Sequence, residues 1–282
     1  MFGNYKCYNI RMSTLIFIFI FLLGTIIGSF LNVVIYRFNT GRTIVKGRSM
    51  CMSCGHSLSW YELIPVFSFL IQSGKCRTCA NKISHQYPIV EILTGILFTL
   101  IANYFLPILY ISVPYYVFLV TFFVFIFSLL MIISVYDIKH KVIPNKLVYA
   151  FIFISLISVF VNQTGMGSLF ITPSYLDLIA GPVFALPFAL LWLFSKGRLI
   201  GLGDAKLILG IGWMLGMMKG LAAITLSFWL GSIVSLLIII LSRNKKINMH
   251  TEIPFAPFLI IGTLVTFLLG LDIISLASLF QL

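Results

Sequence analysis

The stretch YYVFLVTFFVFIFSLLMIISVYDIKH, residues 115–140, decides the fold class. From residue 115 to residue 136 it carries no charged side chain, and it then ends on Asp137, Lys139 and His140. A helix of about 20 apolar residues crosses the roughly 30 Å of hydrocarbon in a lipid bilayer. The stretch therefore predicts a transmembrane helix that ends in charged residues at one membrane face.

The rest of the chain repeats this pattern. Of its 282 residues, 60% are hydrophobic and only 9% are charged, which excludes a water-soluble globular protein. We predict an all-α polytopic membrane protein with about eight transmembrane helices. A count of seven stays open, because only Lys219 and Gly220 interrupt the run 205–242. Besides 115–136, the predicted spans are 14–36, 88–106, 147–161, 175–195, 205–218, 220–242 and 254–278.

The balance of charge gives the orientation of these spans. The chain has 19 Lys and Arg residues against 7 Asp and Glu residues, but they form no soluble basic domain, so we expect no binding to nucleic acid. Eight spans place sixteen of the 19 basic residues on one side and leave only Lys6, Arg11 and Lys219 on the other. Since loops rich in Lys and Arg face the cytoplasm, we predict that both termini face outward.

A cysteine quartet lies in the one long hydrophilic segment, residues 37–87. Two CxxC pairs, Cys51 with Cys54 and Cys76 with Cys79, can direct four thiolates at one centre. Such a closed tetrahedral set is what a structural zinc ion prefers. Disulfides and an iron–sulfur centre are the alternatives, and the predicted cytoplasmic position of the loop disfavours disulfides.

Two of the seven carboxylates stand at matching helix ends. Asp137 ends the third predicted span and Asp204 begins the sixth, so both are predicted at the cytoplasmic membrane face, where they can meet. Two carboxylates a few ångströms apart at low dielectric share a proton, which is the chemistry of an aspartic protease. The alternative for each is a helix-end charge paired with Lys139, Lys141 or Lys206.

Other residues accompany the two aspartates. Gly201 and Gly203 permit close backbone approach and unusual dihedral angles just before Asp204, as an aspartate reached by an extended peptide requires. Glu91, at the start of the second predicted span, is a third candidate acid. A charge at the membrane interface beside Lys82 explains Glu91 equally well.

Together these features resemble the type IV prepilin leader peptidases, which are membrane aspartic proteases of the GxGD class. The resemblance covers nearly the whole chain and keeps the family's order of motifs. The motifs are GSFLNVVIYR at 28–37, the cysteine quartet, LSWYELIPVFSFL at 58–70, ISHQYPIVEILTG at 83–95, YDIKHKVIPN at 136–145, GLGDAKL at 201–207 and IPFAPFL at 253–259.

The resemblance implies that Asp137 and Asp204 are the catalytic pair. It implies a bacterial inner-membrane enzyme whose substrates are type IV prepilin or pseudopilin precursors, cleaved after a glycine that ends a short basic leader. Many family members also methylate the new amino terminus with S-adenosylmethionine, although no glycine fingerprint for that donor stands in this sequence. Within the motifs, the candidates for substrate or active-site support are Gly201, Gly203, Lys206, Asn145 and Glu91.

The resemblance also implies a division of the chain into three parts. These are a first transmembrane helix at 1–36, a cytoplasmic zinc-binding domain at 37–87 and a polytopic membrane protease domain at 88–282. The rival function is a transporter or assembly scaffold, in which the aspartates bind protons or cations and the zinc loop docks partners.

Overall fold

The computed structural model describes residues 2–41, 43–44, 47–164, 167–241 and 253–278, with side chains from residue 14 onward. Lys6 and Arg11, which entered the charge count, lie outside the described side chains. Within the described part the chain is helical, with only isolated β-bridges, so the predicted all-α class is confirmed. The helices are α1 Phe2–Arg37, α2 Phe67–Ile71, α3 Gln86–Tyr104, α4 Leu106–Leu109, α5 Val113–His140, α6 Asn145–Ser158, α7 Tyr175–Ser195, α8 Leu202–Leu241, α9 Ala256–Leu269 and α10 Ile273–Ser278.

Several of these helices suit a membrane. Among the described residues, five are long and apolar enough to cross one: Thr14–Arg37 within α1, and α3, α5, α7 and α8. The shorter apolar helices α6 and α9 have 14 residues each, about 21 Å of helix against roughly 30 Å of hydrocarbon. The chain is thus a multi-pass membrane protein, and the number of crossings stays a prediction.

The helix α8 is two segments joined at Gly216. That residue has φ 75° and ψ −175°, which no continuous helix contains. A Cβ built on Gly220 would lie 3.6 Å from the Cα of Gly212, although eight residues of straight helix span about 12 Å. The chain therefore folds back at Gly216, and the two segments pack together through their glycines. The predicted boundary at Lys219 falls three residues after this turn.

The turn has a polar partner on the preceding helix. The carboxylate of Asp177, in the first turn of α7, accepts a hydrogen bond of 3.3 Å from the backbone N–H of Met217. The first N–H groups of a helix have no partner inside that helix, so this bond satisfies one of them. Asp177 thereby stabilises the start of the second segment of α8.

The final predicted span, 254–278, is also divided. Helix α9 ends at Leu269, and Gly270 follows it with φ 65°, a left-handed conformation that glycine adopts without penalty. Helix α10 begins three residues later. A hydrophobic run alone does not reveal this stop.

The chain forms two compact units. The first comprises residues up to Tyr110 together with Tyr116–Ser128, and its helices α1 and α3 pack closely where Gly24 meets the backbone of Gly95. The second comprises Ile111–Tyr115 and Leu129–Leu282, in which α8 packs against α6, α7 and α9. The predicted boundary at residue 88 falls just inside α3, which packs against α1, and the three-part division of the chain stays a prediction.

Candidate active site and metal site

Asp137 and Asp204 come together in the second unit. Asp137 is buried near the end of α5, where Lys141, with φ 52°, donates its N–H to the Asp137 carbonyl at 2.7 Å and ends the helix. Asp204 lies in the first turn of α8, and its N–H donates to the carbonyl of Gly201 at 3.2 Å. The two carboxylates are close enough for their charges to interact. The two aspartates are therefore neighbours, and their role as a catalytic pair stays a prediction.

The start of α9 contributes a contact to this pair. The backbone N–H of Ala256 donates a hydrogen bond of 3.3 Å to Oδ2 of Asp137. Ala256 is the first residue of α9 and is fully buried, so the partly positive amino end of the helix is directed at the carboxylate. The sequence reasoning missed this role, and its only signal was Pro257 at the head of an apolar run.

Gly201 and Gly203 leave room for neighbouring atoms that a side chain would collide with, and neither has a left-handed φ. A Cβ on Gly203 would lie 2.8 Å from the Cβ of Ile143, in the loop after α5. A Cβ on Gly201 would lie 3.3 Å from Oδ2 of Asp204. Neither glycine has a left-handed φ, so the expected unusual dihedral angles are not found, and the close approach of a peptide substrate to Asp204 stays a prediction.

Lys206 links α8 to the start of α6. Its ammonium donates to Oδ1 of Asn145 at 3.0 Å and to the hydroxyl of Tyr149 at 2.9 Å. The same ammonium lies 4.8 Å from the centre of the Tyr149 ring, within the range of a cation–π contact. Lys206 and Asn145, both named from the sequence, are thus direct partners, and Tyr149 is an addition that the sequence reasoning did not name.

Glu91 belongs to the first unit. It is buried on α3, with 6% of its surface exposed, and its Oε2 accepts a hydrogen bond of 2.8 Å from the N–H of Val66. Ser29 on α1 lies near the same carboxyl group. A Cβ on Gly28 would lie 2.8 Å from the Cα of Glu91, so α1 and α3 are nearly in backbone contact here. Glu91 therefore stands in the interior of the first unit.

The four predicted metal ligands converge. The sulfur atoms of Cys51, Cys54, Cys76 and Cys79 all lie within 4.8 Å of one another, and those of Cys51 and Cys79 are 3.9 Å apart. Four thiolates at about 2.3 Å from one zinc ion would be about 3.8 Å apart. All four cysteines are free thiols rather than disulfides. The quartet can hold a metal ion.

The two CxxC pairs share one backbone geometry. The carbonyl of Cys51 accepts the N–H of Gly55 at 2.9 Å, and that of Cys76 accepts the N–H of Ala80 at 2.8 Å. Both closing residues have positive φ, 71° for Gly55 and 57° for Ala80. An isolated antiparallel bridge flanks each turn, and Asn81 Nδ2 donates to Ser53 Oγ between the two turns. The turns therefore form a paired unit around the thiols.

The surroundings of the thiols suit a cation. Backbone N–H groups of Cys54 and Ser53 lower the pKa of Cys51 to about 6, and those of Cys79 and Thr78 lower the pKa of Cys76. The N–H of Asn81 also favours the Cys79 thiolate, but lost solvation and the neighbouring thiols outweigh it and raise the pKa to about 11. A bound divalent cation would compensate the negative charge of the assembled thiolates.

Two different protein-family models match two separate regions of the chain. The family model of the Bacterial Peptidase A24 N-terminal domain matches residues 22–105, which include the cysteine quartet and Glu91. The model of the Type IV leader peptidase family matches residues 124–236, which include Asp137 and Asp204. No solved structure matches the chain.

Curated relatives match over most of their length. A prepilin leader peptidase/N-methyltransferase of Bacillus subtilis (strain 168) is 30% identical over 256 residues, covering 91% of this chain and 95% of the relative. A protein of the same name from Vibrio cholerae is 31% identical, covering 87% and 94%, and one from Pseudomonas aeruginosa is 28% identical, covering 88% and 89%. Because relatives at least 30% identical are covered over more than nine tenths of their length, this chain belongs to the type IV leader peptidase family.

Proposed function

We propose that this protein is a membrane aspartic endopeptidase that removes the short basic leader of type IV prepilin or pseudopilin precursors. The observation that supports the proposal is the proximity of Asp137 and Asp204 within the region matched by the leader peptidase family. Cleavage follows the glycine that ends the leader, at the cytoplasmic face of the bacterial inner membrane. The excess of basic residues on one side of the predicted spans supports this orientation.

The two carboxyl groups divide the acid and base work. The ionised member removes a proton from water, and the oxygen of that water attacks the scissile carbonyl carbon. The protonated member gives its proton to the carbonyl oxygen, and the leaving amine takes a proton when the C–N bond breaks. The Ala256 N–H holds Oδ2 of Asp137 in place, so its other oxygen is available to the water.

The substrate reaches this pair from the lipid. Its apolar helix stays in the bilayer and its basic leader stays in the cytoplasm, which places the scissile bond at the depth of two helix ends. Asp137 and Asp204 are at such helix ends. In this proposal residues 88–282 carry the protease and residues 37–87 form a cytoplasmic domain held together by one structural zinc ion.

The same proposal includes a second activity. The relatives carry the double name prepilin leader peptidase/N-methyltransferase, and they cover both regions of this chain. We therefore include methylation of the newly exposed amino terminus, with S-adenosylmethionine as the methyl donor. The electrophilic methyl carbon of the bound donor would move to the amine nitrogen, the C–S electron pair would stay on sulfur, and one amine proton would go to solvent.

Membranes containing single variants test the peptidase. Asp137→Asn and Asp204→Asn should each abolish cleavage of a prepilin substrate, measured by mass spectrometry of the substrate. Asp272→Asn is the matched control, because Asp272 lies at the start of α10, where its backbone N–H and carbonyl bond to Ser275. Cleavage retained in either active-site variant would exclude the paired-aspartate mechanism. A transporter or scaffold would leave the substrate uncut by the wild type as well.

A further inference from the structure

An apolar surface covers residues 60–71 of the first unit, within the segment that joins α1 to α3. The stretch reads WYELIPVFSFLI and folds as a short 3₁₀ helix, Trp60–Leu63, then a turn and α2. Its one charged residue, Glu62, is buried. We propose that this stretch is a re-entrant segment, embedded in the lipid bilayer beside α1 and α3 on the predicted cytoplasmic side. The inference goes beyond the proposed function, because the peptidase chemistry uses none of these residues.

The exposed side chains of this stretch are all apolar or aromatic. Trp60 has 78% of its surface exposed and Ile71 has 82%, and the others are Tyr61, Leu63, Ile64, Phe67 and Leu70. Large exposed apolar surface marks contact with a membrane or with another protein. Trp beside aliphatic side chains is typical of segments that lie at the boundary between lipid headgroups and acyl chains.

The depth of the stretch along α1 and α3 favours lipid. The N–H of Val66 donates to Glu91, which stands five residues into α3, about 7.5 Å from the start of that helix. A Cβ on Gly28 would lie 2.8 Å from the Cα of Glu91, and Gly28 stands nine residues, about 14 Å, before the end of α1. Both helices are long and apolar enough to cross a membrane. Val66 therefore lies below their ends, at a level where lipid surrounds them.

The side chains before Val66 continue the lipid-facing surface of α1. Trp60, Leu63 and Ile64 line an open groove together with Ile26 and Phe30 of α1. Both α1 residues are exposed, and Ile26 stands eleven residues, about 16 Å, before the end of that helix. The groove is thus a recess in a surface that acyl chains already contact, so acyl chains fill it.

The backbone of the stretch is paired as a segment away from water requires. Inside a bilayer, each backbone N–H needs a partner from the protein. Val66 has φ 62°, which is rare for a β-branched residue, and the buried carboxylate of Glu91 holds this strained turn through the N–H. The N–H groups of Ser68, Leu70 and Gln72 donate to carbonyls four residues earlier. Since the stretch lies between the two cysteine pairs in the chain, its embedding holds the metal site at the membrane surface.

The fluorescence of Trp60 in proteoliposomes of the full-length protein tests the proposal. The chain has four tryptophans, so the emission of Trp60→Phe is subtracted from that of the wild type to isolate Trp60. Lipids brominated on their acyl chains should quench about half or more of this emission, and acrylamide in the water should quench little of it. Because Trp60 is exposed, Trp60→Phe should keep the thermal midpoint and zinc content of the wild type.

A tryptophan in the polar cysteine turn is the matched control. His56 is exposed beside the first cysteine pair. His56→Trp in the Trp60→Phe chain should show the opposite behaviour, with quenching by acrylamide and little by brominated lipid. Trp60 emission that acrylamide quenches and brominated lipid does not would overturn the proposal.

A photo-crosslinker at Ile71 identifies what covers the surface. Benzoylphenylalanine in place of Ile71, irradiated in membranes that also contain a prepilin substrate, should yield a phospholipid adduct in the mass spectrum of the digested chain. The same replacement at His56 should yield none. A crosslink from position 71 to the prepilin or to a second copy of this chain, without a lipid adduct, would overturn the proposal and make the surface a protein-docking site.

Discussion

Gly203 packs against Ile143 with no room for a side chain, because a Cβ on residue 203 would lie 2.8 Å from the Cβ of Ile143. Gly203 directly precedes Asp204 at the start of α8, and Ile143 lies in the short loop after α5, which carries Asp137. The contact therefore fixes the start of one helix against the end of the other. The distance between the carboxyl groups of Asp137 and Asp204 therefore depends on the contact between Gly203 and Ile143.

The substitution Gly203→Ala should increase the distance between the carboxyl groups of Asp137 and Asp204. Overpacking of this kind costs about 1–3 kcal/mol, and a shift of α8 moves Asp204 with it, so we expect leader cleavage to fall at least about tenfold. Ile143→Gly removes the opposing side chain and should restore part of the activity when combined with Gly203→Ala. Initial rates for the two single variants and the double variant give the comparison. Full activity of Gly203→Ala would show that the contact does not position the site.

Lys206→Met should remove the link between α8 and α6. The ammonium of Lys206 bonds to Asn145 and Tyr149, so its loss should cost about 1 kcal/mol of stability and reduce kcat/KM several-fold. Asn145→Ala should have a similar effect, and the double variant should be little worse than either single variant, because one interaction is lost in all three. Lys146→Ala, the adjacent exposed lysine, is the control. Additive effects would mean that Lys206 and Asn145 act separately.

Some features of the site could be predicted from the sequence, and others depend on contacts between residues far apart in the chain. Asp137 and Asp204 could be paired in advance, because each adjoins an apolar run whose length and flanking charges give a helix end on the same predicted side. The position of the turn in α8 could not be predicted from the sequence. It depends on Asp177, which stands forty residues before Met217 in the chain. The Ala256 contact was equally hidden, since any residue except proline has a backbone N–H.

The cysteine quartet should bind about one zinc ion per chain. Metal analysis of the purified protein measures this directly, and the close approach of four sulfur atoms is its structural basis. Cys54→Ser should lower the zinc content and the thermal midpoint, because a structural zinc site contributes to folding stability. Cys7→Ser, which changes the one cysteine outside the quartet, should do neither. A folded wild-type protein without metal would contradict the assignment.

Gly216→Ala should be more destabilising than an ordinary substitution of a left-handed glycine. An alanine at φ 75° costs about 1–2 kcal/mol, and its Cβ would also collide with Oδ1 of Asp177. Gly270→Ala is the matched control, because Gly270 has φ 65° and open space around an added Cβ. Thermal midpoints in detergent should fall further for Gly216→Ala, and Asp177→Ala should recover part of the difference. Equal midpoints would mean that the turn tolerates the added atom.

The fold-back at Gly216 also has a consequence for topology. Because the two segments of α8 reverse direction there, Lys219 should lie on the outer face of the membrane, opposite to Arg198 between α7 and α8. In a chain without its native cysteines, Lys219→Cys should react with a membrane-impermeant maleimide in intact cells. Arg198→Cys should react only after the membrane is opened, since it lies on the predicted cytoplasmic side. Labelling of both positions from outside, or of neither, would exclude the eight-span arrangement and favour seven crossings with one segment of α8 embedded.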